Sequence, residues 1–201
     1  MMFDNGSNIY FTADTHFNHT NVIQYCNRPF STIMEMNEAL INNWNTVVNP
    51  TDIVFHLGDF AFGGVGVWRQ LRSRLNGKII LFKGNHEDQN WSSSFDLLFE
   101  HISRCMLIRI ENQPIYLTHF PLLCFDGAQN GQKWNFYGHV HSGPKVINND
   151  TERVKLCFPT QYDVGVDNNN YTPVSFYQIR DIINQRINLQ SMLSEKSTIS
   201  R

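Results

Sequence analysis

Eight polar side chains stand out for their types and spacing: Asp14 and His16, Asp59, Asn85 and His86, His119, and His139 with His141. Carboxylate, imidazole and amide oxygen form a donor set suited to borderline or hard divalent cations such as Mn²⁺, Fe²⁺, Ni²⁺, Zn²⁺ or Co²⁺. Each alone has a plainer reading. A lone His is more often a satisfied structural residue. Gly58-Asp59 alone is an ordinary turn, because Gly tolerates unusual φ and Asp bonds its own backbone. The set carries more weight. Five of the eight histidines fall where a strand should stop. In Asp14-Thr15-His16 and His139-Val140-His141 two donors stand two residues apart, and alternate residues of an extended chain share a face.

Strands have to deliver these side chains to one place. Residues 8–13, 52–57 and 78–83 read as strands that end at Asp14, Gly58-Asp59 and Gly84-Asn85-His86-Glu87. Residues 104–110 and 115–118 pair as a hairpin whose second strand ends at His119. Residues 134–137 form a strand ending at Gly138-His139, and two late strands are expected at 154–158 and 162–166. Thr32-x-x-Glu35 is a capping box opening a helix with apolar Met36, Leu40, Ile41, Trp44 and Val48, stopped by Asn49-Pro50. Residues 67–75 read as a second helix, and 174 to about 187 as a third, with Ser175 as its cap. The polar tail 194–201 should fray. The alternation makes residues 1–201 one α/β domain, and in such domains ligands gather outside the carboxyl ends of the strands.

Composition narrows the classes. With 41% hydrophobic and 17% charged residues, the chain is neither disordered nor fibrous. Sixteen basic against 18 acidic side chains give a net charge of −2, without the basic excess of a duplex-DNA binder. Cys26, Cys105, Cys124 and Cys157 form no CxxC pair, which argues against a zinc ribbon or disulfide framework and for free, mostly buried thiols. No signal peptide or membrane-length apolar run is visible, so the cytoplasm is the expected location.

The ordered set Asp14-Thr15-His16, Gly58-Asp59, Gly84-Asn85-His86-Glu87, His119 and Gly138-His139-Val140-His141 resembles the calcineurin-like metallophosphoesterase superfamily. The resemblance implies an α/β fold of two mixed β-sheets packed face to face and flanked by helices, a four-layer sandwich. It also implies two divalent metal ions. One would be held by Asp14, His16, Asp59 and His141, the other by Asp59, Asn85, His119 and His139, with Asp59 bridging. His86 would stand beside the metals without binding them. The implied chemistry is hydrolysis of a phosphodiester or phosphomonoester by metal-hydroxide attack, with Asp59 and Asn85 in the catalytic centre and His86 protonating the leaving oxygen.

The chain has no obvious room for a large cap or nucleic-acid-binding domain. The expected partner is a small phosphate ester, with nucleotides among the candidates, and no membrane; a nuclease stays an alternative to which the charge balance gives no support. A protein phosphatase fits less well. A non-catalytic metal-binding scaffold on the same fold is the alternative, and the full ligand set together with His86 argues against it. Arg28 is a candidate phosphate clamp, weighed against a structural ion pair. His19 is a candidate substrate contact, weighed against a surface or capping role. His56 reads as packing, and Arg69, Arg72 and Arg74 as a solvated helix face. The long segment 120–133 is placed to shape substrate entry, and Phe125, Trp134 and Trp91 are candidates to stack on a nucleobase, weighed against packing at the core or rim as the default.

Overall fold

A computed structural model describes residues 1–6, 8–144, 146 and 151–199. Strands β2 (Ile9–Thr12), β3 (Ile53–His56), β4 (Lys78–Phe82) and β5 (His101–Ser103) run parallel, and β10 (Val174–Ser175) joins β2 antiparallel. The second sheet orders β1 (Met2–Phe3), β6 (Cys105–Ile110), β7 (Gln113–Thr118), β8 (Trp134–Tyr137) and β9 (Gln161–Asp163), antiparallel only between β6 and β7. The result is the expected pair of mixed sheets, five strands each, with helices.

Phe11, Phe55 and Phe82 of the first sheet and Ile108, Leu117 and Phe136 of the second belong to one buried cluster. Helix α6 (Phe176–Ile199) adds Phe176, Ile179 and Ile183 to it. Alternate strand residues Val54, Ile79 and Leu81 join a second cluster with Met36, Leu40 and Trp44 of α2 (Ile33–Val47) and Trp68 and Leu71 of α3 (Val65–Arg74). Helix α1 (Thr20–Tyr25) adds Val22 to the second cluster.

Register brings the motifs together. Thr12 lies beside His56, and His56 beside Leu81, so β2 and β3 end level and β4 ends one residue further on. Leu117 lies beside Phe136, and Phe136 beside Tyr162, in the second sheet. A bridge between Ala13 and Gly165 joins the exits of β2 and β9.

Several expectations need correction. Residues 154–158 form no strand: α5 (Thr151–Val154) and a turn stand there. The strand expected at 162–166 is β9, three residues long, and Val166 already lies in a 3₁₀ turn. Helix α6 does not stop near Ile187 but runs to Ile199, through helix formers such as Leu189, Gln190 and Met192. Its start is as expected: Ser175 Oγ accepts from Gln178 N at 3.3 Å, and Gln178 Oε1 accepts from Ser175 N at 2.9 Å. Thr32 caps α2, but Glu35 reaches back to Ser31 N. Arg72 is not solvated, because its guanidinium donates to the carbonyls of Leu98, Leu75 and Gly77. Of the four free cysteines only Cys26 is buried, while Cys105 and Cys124 are exposed. Among the described residues no helix is long and apolar enough to cross a membrane.

Candidate metal centre

The turns leaving the strands are strongly bent. Asp14, His16, Asp59, His139 and His141 all have positive φ, from 47° to 72°. This region is sparsely populated by residues other than Gly, though Asp and His enter it more readily than most. The idea that Asp14 and His16 share a face of an extended chain therefore gave the right convergence for the wrong reason. Tight left-handed turns, not pleating, aim both side chains. Gly58, at φ +100°, is one residue that no other could replace: a Cβ there would lie 2.5 Å from His119 Nδ1.

All eight candidate residues converge. Ligating atoms of Asp14, His16 and His141 lie within 4.8 Å of one another, as do those of His16, Asp59 and His86, and those of Asp59, His119 and His139. Asp59 Oδ2 is 3.6 Å from His16 Nε2, 3.5 Å from His119 Nε2 and 3.8 Å from His86 Nε2. Asn85 Oδ1 lies 3.0 Å from His119 Nε2 and 2.9 Å from His139 Nδ1.

These contacts suit a cation better than protons. The Leu57 carbonyl, 2.7 Å from His119 Nδ1, can only accept, so Nδ1 carries the proton. In the neutral ring Nε2 is then a bare lone pair facing two oxygens. Asp14 Oδ1 is buried with no hydrogen-bond partner among the described residues. Buried polar groups left this way are costly, and a bound ion removes the cost. Two donors each about 2.1 Å from one cation sit roughly 3.0–3.6 Å apart, which matches Asp59 against His16 and His119. The donor set therefore fits divalent ions.

Burial dominates the electrostatics at Asp14, His16 and His119, and hydrogen bonding overrides it at His141. Burial pushes the Asp14 carboxyl well above the usual carboxylate range; the His141 charge opposes this, and Asp59 and Asp163 add to it. Burial and then the charge of His141 hold His16 well below the ordinary imidazole value. Burial also lowers His119, against the pull of Asp59. Burial alone would lower His141 too, but its hydrogen bond to Asp167, with Cys26 and Asp14 adding, leaves it well above its ordinary value.

Three supporting residues escaped the sequence reading. Asp167 Oδ2 accepts from His141 Nδ1 at 2.6 Å. Asp163 accepts from Ser142 N at 3.0 Å and Gly165 N at 2.7 Å, fixing the turn after His141. Glu87, quoted earlier only as part of its motif, is buried and accepts from the amides of Asp59, Phe60 and Gly84 at 2.7–2.8 Å. It ties the Asp59 turn to the Asn85 turn. Burial and the neighbouring Asp59 push Glu87 up to about 7 against those three amides.

Arg28 is not placed to clamp a phosphate. Its Nε and Nη2 grip Asp167, Nη2 also donates to Asp14 O, and Nη1 donates to Thr15 O and Met36 Sδ. All five N–H groups are engaged, and the side chain is 0% exposed. The structural ion pair is the outcome. His19 stands at the rim, its ring stacked on Phe62 at 4.0 Å and 5.9 Å from that of His86. It occupies the N-cap position of α1 but its side chain makes no cap hydrogen bond. His56 is packed as expected, 2.9 Å from Thr15 Oγ1. Trp134 is buried, and Trp91 packs on Trp68 and Phe95 under the Lys83 ammonium.

With this geometry in view, the family follows. Residues 7–157 match the calcineurin-like phosphoesterase model, and the chain belongs to that family, whose members generally hydrolyse phosphoesters with divalent metals. It is 36% identical over 179 residues to the uncharacterized protein MJ1445 of Methanocaldococcus jannaschii, spanning 87% of this chain and 90% of that protein. It is 26% identical over 188 residues to the Gene 66 protein of Mycobacterium phage L5, spanning 80% and 87%. The crystal structure of AQ665 from Aquifex aeolicus, a protein of unknown function, superimposes with a TM-score of 0.65 at 24% identity, over 87% of this chain and 98% of that one.

Proposed function

We propose that this protein is a dinuclear metal-dependent phosphoesterase acting on a small phosphate ester. The observation that carries the reading is the placement of Asp59 Oδ2 between imidazoles of both halves of the centre, 3.6 Å from His16 and 3.5 Å from His119. Asp14, His16, Asp59 and His141 would hold one ion, and Asp59, Asn85, His119 and His139 the other. Bound there, two divalent ions would supply Lewis acidity to the phosphoryl group and acidify a water. The residues supply the rest. Asp59 and Asn85 fix the spacing of the two sites. His86 holds a proton for the departing oxygen: its side chain is 32% exposed, 3.8 Å from Asp59 Oδ2. Its backbone N–H donates to Asp59 Oδ1 at 3.1 Å, which locks the acid to the bridging carboxylate.

The test is hydrolysis of bis(p-nitrophenyl) phosphate and p-nitrophenyl phosphate by metal-stripped protein, with Mn²⁺, Ni²⁺, Zn²⁺ or Mg²⁺ added back. Activity is expected only with metal. His86→Ala should keep both ions and lose roughly 10²–10⁴-fold in turnover, most on poor leaving groups. Loss of metal from that variant would make His86 a ligand instead. Absence of turnover with every metal, in folded protein that binds two ions, would favour a binding scaffold.

A further inference from the structure

Two cavities open on the centre and share no lining residue. One, of about 490 Å³, ends on His86 and is walled by Phe62, Trp68, Trp91 and Phe95. The other, of about 550 Å³, ends on His139 and is walled by Phe120, Leu122, Leu123 and Leu156. Both volumes lie in the range of small-molecule sites.

Their linings differ in kind. Around His86 the walls are rings. Phe62 lies 5.0 Å from the His86 ring, and Trp91 is 5.2 Å from Phe95. Flat aromatic walls favour a planar guest through stacked or edge contacts. Around His139 the walls are mostly aliphatic and strangely bare. Leu123 is 83% exposed, Leu156 74% and Phe120 50%, with Phe120 4.4 Å from the His139 ring. Apolar side chains gathered in the open beside a polar centre mark a surface that a ligand covers.

We infer that the two cavities receive the two organic arms of a phosphodiester: a planar aromatic leaving arm beside His86 and an apolar retained arm beside His139. The inference rests on the phosphoesterase reading and narrows it from esters in general to diesters. A monoester has one arm and would leave one cavity empty. The assignment of arms follows from the proton. In hydrolysis, the oxygen of water bonds to phosphorus and the phosphorus–oxygen bond to the leaving arm breaks. His86 gives its proton to the leaving oxygen, and the proton released by the attacking water restores His86 at the end of the cycle, so the leaving arm lies on its side. The products are an alcohol and a phosphomonoester that keeps the second arm.

The first experiment needs no turnover. Binding of diphenyl, methyl phenyl and dimethyl phosphate to Mn²⁺-loaded protein is measured by calorimetry. Each phenyl ring should tighten binding about tenfold. Trp91→Ala and Leu123→Ala should each weaken diphenyl phosphate about tenfold and the dimethyl ester far less. Leu123 is so exposed that its variant folds even if the Trp91 variant does not. The second experiment uses methyl p-nitrophenyl phosphate, whose only aryl arm is the leaving one: Trp91→Ala should raise its KM by the larger factor.

Equal affinity for all three esters, in protein that hydrolyses bis(p-nitrophenyl) phosphate, would overturn the two-arm assignment and leave the phosphoesterase standing. A phenyl preference in protein that hydrolyses no ester would leave two ring-binding cavities but overturn the phosphoesterase reading and, with it, the assignment of leaving and retained arms. A KM raised more by Leu123→Ala would exchange the two arms and overturn the assignment as written.

Discussion

Behind His141 stands a buried ion pair; behind His119 stands one backbone carbonyl. Asp167 takes the Nδ1 proton of His141 at 2.6 Å and is itself gripped by Arg28 through Nε at 2.9 Å and Nη2 at 2.8 Å. Leu57 O takes the Nδ1 proton of His119 at 2.7 Å. The first half, with Asp14 and His16, is deep and rich in charge: Asp14, His16, Arg28 and Asp167 are all buried. The second half is neutral apart from the shared Asp59, and its Asn85 and His139 are only half-buried. Both devices orient an imidazole and free its other nitrogen for a cation. They differ in what can undo them. A carboxylate is a side chain that one substitution removes, whereas a carbonyl belongs to the backbone. The charged half also needs its partners more, since a buried charge without compensation is expensive.

The largest effect should come from the residue that belongs to both halves. Asp59→Asn weakens both sites at once and should cut turnover on bis(p-nitrophenyl) phosphate by roughly 10³-fold. Metal content of the purified variant, read beside its turnover, checks this. Two ions retained with turnover near normal would end the idea of a shared ligand.

Asp167→Asn comes next and should act on one half only. The loss of a carboxylate behind a ligating imidazole typically costs about 10–100-fold in metal affinity. A metal titration should therefore split into one tight and one weakened site. Equal weakening of both sites, or of neither, would erase the distinction between the halves. Arg28→Lys keeps the charge without the planar fork, and should produce the same split to a smaller degree.

Much of the centre was legible because its residues sit where strands stop, and apolar runs bounded by Gly-Asp or Gly-Asn-His mark those stops well. The bending of the turns was not legible. Nothing in Asp-Thr-His declares that φ is 56° at Asp14 and 49° at His16. That conformation is imposed by long-range bonds such as Asp14 N to Gly58 O at 2.9 Å and His16 N to Asp59 O at 3.0 Å. Asp163 is the last residue of β9 (Gln161–Asp163) but falls inside the strand expected at 162–166, so its place at a strand's end was not legible; Asp167 does follow that expected strand, but as a lone acid its role shows only in its contacts with His141 and Arg28. Arg28 was misleading for a different reason. Its type suits a phosphate, and only the tertiary structure shows that Asp167, Asp14 O, Thr15 O and Met36 already use all its donors. The extent of α6 was lost because a polar helix surface and a polar tail look alike in composition.

The smallest effect on the metals should come from Leu57→Ala, and that small effect is informative. The Leu57 side chain is 0% exposed within the core between the sheets, so truncation should cost about 2–5 kcal/mol of stability. The carbonyl that orients His119 survives the substitution. Metal affinity of the folded variant should therefore stay unchanged at both sites while its melting temperature falls. Asp167→Asn should show the opposite balance, with affinity lost at one site. If Leu57→Ala loosens an ion as much as Asp167→Asn does, the carbonyl holds its imidazole only through the packing around it. The second half would then be as open to disruption as the first.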